Sequence, residues 1–409
     1  MSNILKKIQS TVMDNQSRVA IGGDYPTTFS KLWSQTDAFA GGLQDREITA
    51  GDTVVIRLSN PRAFLIAFFG TLRNGCVPVT VPAEFDKADI VSVLNETDGS
   101  AYVTDETPFL SILTRADAVH LAITTDCDAR MGVDLETFLD NGGMNSAGSR
   151  TGIDVVRQSD SDRGLIAYVG YDSGEPLGVT YTHAALTAAA DCGGSLLETE
   201  GTLDHLGSRP LSKPIELLYG VTGTILDGGT YHPHSEWDPE TIHSLLYTDG
   251  DSRTFVTPEQ YEQLRSFETS VGDTLAMVEP PSVDQSAAET NDSVTRLRGC
   301  PETGLTHASR GTDIDSDRLG KPLPGVETRV LPGVETRVLD DETDGELVVS
   351  GPATMNGYIS RPELTDEWIT TRDETRWIRT GVAADNAPRR AGGSCADDPM
   401  ESIHDRSHS

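Results

Sequence analysis

Apolar residues recur at helical spacing from Leu32 to Leu43 and stop at a glycine-bounded turn, Gly51-Asp52. That spacing predicts a helix with one buried face. The next run, Thr53-Val54-Val55-Ile56-Arg57-Leu58, is β-branched and reads as a strand, and Asn60-Pro61 opens a second helix through the apolar stretch Ala63–Leu72. The alternation continues after Asn74-Gly75. Cys76 to Val81 reads as a buried strand, about Lys87 to Leu94 as a helix, and Ala101-Tyr102-Val103 as another strand. Strands separated by helix-length segments predict βαβ units and a parallel sheet covered on both faces. Residues 160–280 repeat the alternation less cleanly. From about 310 to 385 strand signals dominate, including Glu346–Ser350 and turns at 324–325 and 332–333, which predicts a small β-rich subdomain. Residues 386–409 carry almost no apolar content and read as a disordered tail.

One repeat interrupts this pattern. Leu323–Val330 reads LPGVETRV, and Leu331–Val338 repeats it without a change. A single tandem octapeptide is too short for a solenoid, and an eight-residue insertion beside a turn loops out at modest entropic cost. Two full copies do not fit one strand, so it reads as a recent duplication.

The 409 residues suffice for two or three subdomains with real cores. The longest apolar run is far short of the roughly 18 residues that span a bilayer, and the first residues offer no continuous apolar signal region. Five cysteines without a CxxC pair fit reduced thiols. A cytoplasmic protein with no membrane span is the expectation. Charge adds a second exclusion: 64 acidic against 32 basic residues leave a net charge of -32, whose field repels phosphate and rules out a basic nucleic-acid interface. Only six of the basic residues are lysine, and this acidic bias resembles that of proteins from salt-in halophiles.

Several motifs, taken in order, resemble the adenylate-forming superfamily of acyl-CoA synthetases, peptide-synthetase adenylation domains and beetle luciferases. They are Thr27-Thr28-Phe29 with Leu32, Gly51-Asp52-Thr53-Val54, Leu58-Ser59-Asn60, Gly75-Cys76-Val77-Pro78-Val79, Gly320-Lys321-Pro322-Leu323-Pro324-Gly325-Val326, Gly345-Glu346-Leu347, Gly351-Pro352 and Gly357-Tyr358. The resemblance covers most of the chain. It implies an α/β fold like the family's large N-terminal domain over residues 1–385, with two βαβ sheet subdomains and a small β-rich one. It also implies an ancestral reaction: ATP and a carboxylic acid form an acyl-AMP and pyrophosphate, and the acyl group then passes to a thiol. ATP, Mg and CoA are the cofactors so implied, and a carboxylic acid or nucleotide is the implied ligand; a protein partner is not legible.

The chemistry motifs depart from the family. Its phosphate loop, Y-T-S-G-[ST]-T-G-x-P-K-G, corresponds to Tyr168 through Gly178, where Tyr168, Ser173, Gly174, Pro176 and Gly178 match. Two hydroxyl positions are Val169 and Asp172, and the lysine is Leu177. A carboxylate in a phosphate cradle repels its ligand. The adenine-side small-residue segment falls near Glu279-Pro280-Pro281, and Y-G-x-T-E becomes Arg298-Gly299-Cys300-Pro301-Glu302. Glu302 is thereby the implied Mg ligand and, with Thr380, a residual catalytic match. W-x-R-T-G-D becomes Trp377-Ile378-Arg379-Thr380-Gly381-Val382, so Arg379 and Gly381 are nucleotide-site remnants, while the ribose-binding Asp is replaced, with Asp385 a remote substitute. The family's small C-terminal domain has no counterpart in the tail.

Other arrangements carry weaker signals. Gly170 to Gly174 has a serine but not the G-x-S-x-G spacing of a hydrolase elbow. His232-Pro233-His234 reads as a turn with solvated imidazoles rather than a metal site, Cys300 as a strand residue rather than a nucleophile beside Glu302 and His307, and His183 as a helix start. Acidic Asp313–Asp317 reads as solvated surface. Three functional readings follow: a non-catalytic homologue that binds a ligand or partner, a working acyl-CoA or acyl-AMP ligase with unusual motifs, and the truncated product of a decaying gene.

Overall fold

The computed structural model describes residues 4–107, 110–127, 131–141, 155–196, 204–234, 237–248, 252–267, 269–271, 274–279, 294–310, 321–323, 327–332, 345–372 and 374–384. Pro280, Pro281, the acidic run 313–317, the turn residues Pro324 and Gly325, Asp385 and the tail lie outside them.

The first apolar helix runs Phe29–Gln44, with Thr28 as its N-cap, and the second runs Pro61–Arg73, capped by Asn60 with proline in its first turn. Between them the strand Thr53–Arg57 is buried at every position. Its side chains alternate between two cores. Val54 and Ile56 pack with the helices 29–44 and 61–73, whereas Val55 packs with Ile90, Val93 and Leu94 of the helix Lys87–Glu96. A strand apolar on both faces belongs in a parallel sheet covered on both sides.

That sheet has eight strands in the order 357–358, 175–182, 163–172, 77–80, 53–57, 99–104, 121–124 and 133–134. It is parallel from 163–172 to 133–134, and strand 175–182 returns antiparallel. A second sheet of nine strands has the order 321–322, 304–310, 295–300, 275–279, 252–256, 204–207, 231–233, 19–21 and 27–28. It repeats the logic: Ala276 and Val278 face the shared central core, while Leu275 and Met277 face a third core with Ile242 and Leu246. The result is a layered α/β/α/β/α arrangement with the main core between the sheets.

A four-stranded antiparallel sheet, ordered 327–332, 345–350, 375–384 and 369–372, is the small β-rich unit. The fold is thus α/β with two mixed sheets and one small antiparallel sheet. Its first strand, Glu327–Pro332, takes four residues from the first octapeptide and Leu331-Pro332 from the second. The strand therefore crosses the repeat boundary instead of holding one copy, and residues 333–338 lie outside the described ones. Among the described residues no helix is long and apolar enough to cross a membrane.

Candidate active site

The phosphate-loop stretch is a β-hairpin. Arg163–Asp172 and Glu175–Thr182 pair down to Asp172 opposite Glu175, leaving Ser173-Gly174 as a two-residue turn. Both turn residues have positive φ, +51° and +85°, as the twist-matched hairpin turn requires. The side chains of the paired strands alternate, and this decides which motif residues face which core. Tyr168 points toward the helix 87–96, edge-on to Phe85, and its hydroxyl donates to Glu96 at 2.6 Å. Burial and that carboxylate push its ionisation well above the ordinary tyrosine value. Leu177, at the family's lysine position, is fully buried in the central core with Val179. Gly178 sits opposite Tyr168; a Cβ there would lie 2.6 Å from Ile359 and 3.1 Å from the Tyr168 ring. This glycine is a packing requirement of the strand.

The hairpin tip stands in a negative field. Tyr171 packs on Phe85 with ring centroids 5.0 Å apart, and its hydroxyl donates to Asp89 at 2.9 Å. Its pKa is pushed up to about 12 by desolvation, the Asp89 hydrogen bond, and the charges of Asp89, Asp86 and Glu84. The same charges oppose a polyphosphate.

Glu302 lies in the turn between strands Thr295–Cys300 and Gly304–Arg310 and is fully buried. Tyr358 donates its hydroxyl to Glu302 Oε1 at 3.0 Å, and the Met355 amide donates to the Glu302 carbonyl at 2.9 Å. Tyr181 ties the same turn to the hairpin, its hydroxyl donating to the Pro301 carbonyl at 2.6 Å. Tyr358 in turn pairs with Val179, and the Ile359 amide donates to the Gly178 carbonyl. The fold therefore brings Glu302 and Gly178 into one buried junction. Ser173 and Gly174 are at the exposed tip, away from it.

The remaining predicted residues belong to the small sheet. Thr380 is buried and donates its hydroxyl to the Leu347 carbonyl at 2.7 Å; Arg379 Nη1 donates to the Glu367 carbonyl at 3.1 Å; Gly381 is exposed at φ +67°. Glu279 pairs with Arg298 at 3.1 Å, both buried. Cys300 is buried with Sγ 3.2 Å from the Thr303 hydroxyl, and His183 is the first residue of the helix His183–Gly194. The histidines 232 and 234 correct the expectation of a solvated turn. Residues Tyr231–Pro233 form a strand, His232 Nε2 lies 3.2 Å from Asp204 Oδ2, and both imidazoles are partly covered. Pairing of this stretch with strand Asp204–Gly207 is long-range, so no local signal announced it.

Two structurally important groups had no motif: His205 Nε2 meets Glu216 Oε1 at 2.8 Å inside the core, and Arg253, nearly wholly buried, donates to the Gly193 and Tyr219 carbonyls. Tyr358 lay in a scaffold motif, but its role as the partner of Glu302 across 56 residues was not legible. Burial lowers the Arg253 pKa to about 10.

The family's nucleotide and Mg can be tested against these donors. The hairpin offers no cation at the lysine position, and its tip carries Asp172 and Glu175. Glu302 is fully buried with its carboxylate held by Tyr358, and no group of three or more His, Cys, Asp or Glu side chains among the described residues is placed to hold a metal. In this arrangement the residues do not fit a Mg–polyphosphate.

Comparison with known proteins places the scaffold. The chain is 26% identical over 378 residues to the feruloyl-CoA synthase of an Amycolatopsis species, covering 88% of this chain and 72% of that protein. It is 24% identical over 390 residues to triostin synthetase I of Streptomyces triostinicus, covering 91% and 71%. Among solved structures, the inhibitor-bound N-terminal domain of FACL13 from Mycobacterium tuberculosis matches with a TM-score of 0.73 at 17% identity, covering 93% of this chain and 99% of that one. ATP-bound MatB from Rhodopseudomonas palustris matches with a TM-score of 0.75 at 19% identity, covering 92% and 75%. The model of the AMP-binding enzyme family matches residues 8–359, and the chain belongs to that family.

Proposed function

We propose that this chain is an acyl-CoA synthetase-like protein that has kept the large-domain scaffold and lost most of the adenylate-forming chemistry, acting as a non-catalytic binder of a carboxylic acid, a nucleotide or a protein partner. The observation that carries this reading is the hairpin: the lysine position is a core leucine, and the loop is zipped to a two-residue turn flanked by Asp172 and Glu175. In the ancestral reaction the carboxylate oxygen attacks the α-phosphorus and pyrophosphate leaves, so charge accumulates on phosphate oxygens. Without a preorganised cation and amide cradle that charge is unstabilised, and each lost donor costs roughly 3 kcal/mol of transition-state stabilisation. Losses at one centre compound, although not additively.

The reading of a working ligase rests on Glu302, which stands at the family's Mg position. ATP–pyrophosphate exchange with a panel of carboxylic acids and Mg decides between the two. Exchange slower than that of ordinary synthetases by about 10⁴-fold or more is expected. Exchange at a comparable rate overturns the proposal and assigns ATP, Mg and CoA as working co-substrates. Thermal unfolding with AMP or a carboxylic acid then reads binding without turnover, since a ligand of the native state raises the midpoint by mass action.

A further inference from the structure

A cavity of about 420 Å³ opens between the two large sheets, and neither the hairpin 163–182 nor Glu302, Arg379 or Thr380 lines it. Its position follows from the strand order. In the first sheet, Thr53–Arg57 is flanked by the next strand, 77–80, on one side and by the following strand, 99–104, on the other. In the second, Asp204–Gly207 is flanked in the same way by 231–233 and 252–256. Each is a topological switch point, where connections diverge to opposite faces and leave a crevice at the carboxyl ends of the strands. The wall is built from residues at and just beyond those strand ends: Arg57, Asp105 and Glu106 from the first sheet, and Ser208, Arg209 and His234 from the second.

The charges of this wall cancel. Arg57 pairs with Glu106 at 2.7 Å and donates through Nη2 to the Ala83 carbonyl at 2.6 Å. The second guanidinium, Arg209, donates to Gln260 at 3.2 Å, and the second carboxylate, Asp105, accepts at Oδ2 from the Ser59 amide and hydroxyl. Burial and the neighbouring His232 lower the His234 pKa, so this imidazole is neutral near pH 7. A charged ligand would leave one charge in the cavity unbalanced, and a neutral one does not. What the wall lacks is hydrogen bonds. Among the described residues, Ser208 Oγ and Arg57 Nε are buried without a hydrogen-bond partner, and Arg57 as a whole is only 9% exposed. Arg57 Nε can only donate, the Asp105 carboxylate can only accept, and the serine hydroxyl and neutral imidazole do both. A hydroxyl answers all of them, because one uncharged oxygen donates and accepts at the same place. Leu58, Val81 and Leu211 supply apolar surface for the C–H faces of a ring.

We infer that this crevice binds a neutral polyol of monosaccharide size, a hexose or a cyclitol, whose hydroxyls accept from Arg57 Nε, donate to Asp105, and pair with Ser208 and His234. The volume lies within the range of small-molecule sites. The inference goes beyond the reading of a carboxylate or nucleotide binder and uses none of the residues that carry it.

The test is titration calorimetry of the full chain with D-glucose, D-galactose and myo-inositol, beside glucosamine and glucuronate as charged relatives and cyclohexanol as a ring with a single hydroxyl. Saturable binding of at least one of the three neutral polyols is expected, and the charged relatives and cyclohexanol are expected to bind about tenfold or more weaker than the best of them. Asp105→Asn and Ser208→Ala are expected to weaken binding about fivefold or more, because each removes or weakens a hydrogen bond to the ring. Ala83→Trp fills the mouth from an exposed position without altering a charge, and abolishes binding even where a wall variant misfolds. Saturation of none of the three up to about 50 mM overturns the inference and leaves the cavity to solvent. A charged relative that binds as tightly as the best polyol, or unchanged binding by Ala83→Trp, overturns it as well. Pyrophosphate exchange is measured without polyol, so the two proposals fail separately.

Discussion

Leu177 shows how one residue's chemistry changes with its surroundings. In the sequence it is a lysine position; in the structure its side chain is fully buried among Val179 and the central core. Leu177→Lys is therefore expected to destabilise the protein by about 3–5 kcal/mol rather than restore nucleotide binding, because an ammonium is buried without a partner. Chemical denaturation beside Leu177→Met, a change of similar volume expected to cost under about 1.5 kcal/mol, reads this. His307 makes a pH-dependent contribution of known sign. Burial, reinforced by the nearby Arg298 charge, lowers its pKa from 6.5 to about 4. The folded state thus binds fewer protons than the unfolded state between those values. Its contribution is fully present above about pH 6.5 and is lost as pH falls toward 4, on the order of 3 kcal/mol in all. Unfolding free energies at pH 7 and pH 4.5 check it: His307→Asn is expected to lose less stability on acidification than the parent does.

At the scale of elements, the hairpin 163–182 closes the stretch at the phosphate-loop position into a two-residue turn. Its turn depends on Gly174 at φ +85° and on Ser173 at φ +51°, conformations that cost an L-residue about 1–2 kcal/mol. Gly174→Ala is expected to cost about that much, and Ser173→Asn to gain a few tenths of a kcal/mol because asparagine tolerates the left-handed region. Thermal unfolding measures both. A loop that stayed open for phosphate would respond to neither change. This element was only partly legible. The match of Tyr168, Gly174 and Gly178 to a family loop was visible in order and spacing, but strand pairing between Asp172 and Glu175 is a cross-strand fact. The helices 29–44, 61–73 and 87–96 were legible because an apolar stripe and a capping residue are local signals. The π-helical turn Glu216–Thr222 was not, because its buried glutamate is tolerated only through His205 on a neighbouring strand.

For the whole molecule the dominant quantity is the net charge of -32. Exposed carboxylates repel one another over a Debye length of about 10 Å at 0.1 M salt and about 3 Å at 1 M. Raising KCl from about 0.1 M to 2 M is expected to raise the unfolding midpoint by several degrees, and a midpoint independent of salt would show that surface repulsion does not limit stability. The sequence by itself determined the charge, the βαβ succession, the order of family motifs and the substitutions at the phosphate loop, because each is a matter of residue type and short spacing. Only the tertiary structure decided that Glu302 is held by Tyr358, that the lysine position faces the core, and that the carboxyl ends of two sheets enclose one polar cavity. Those facts depend on which distant strands become neighbours, and burial, hydrogen bonding and field are properties of neighbours in space.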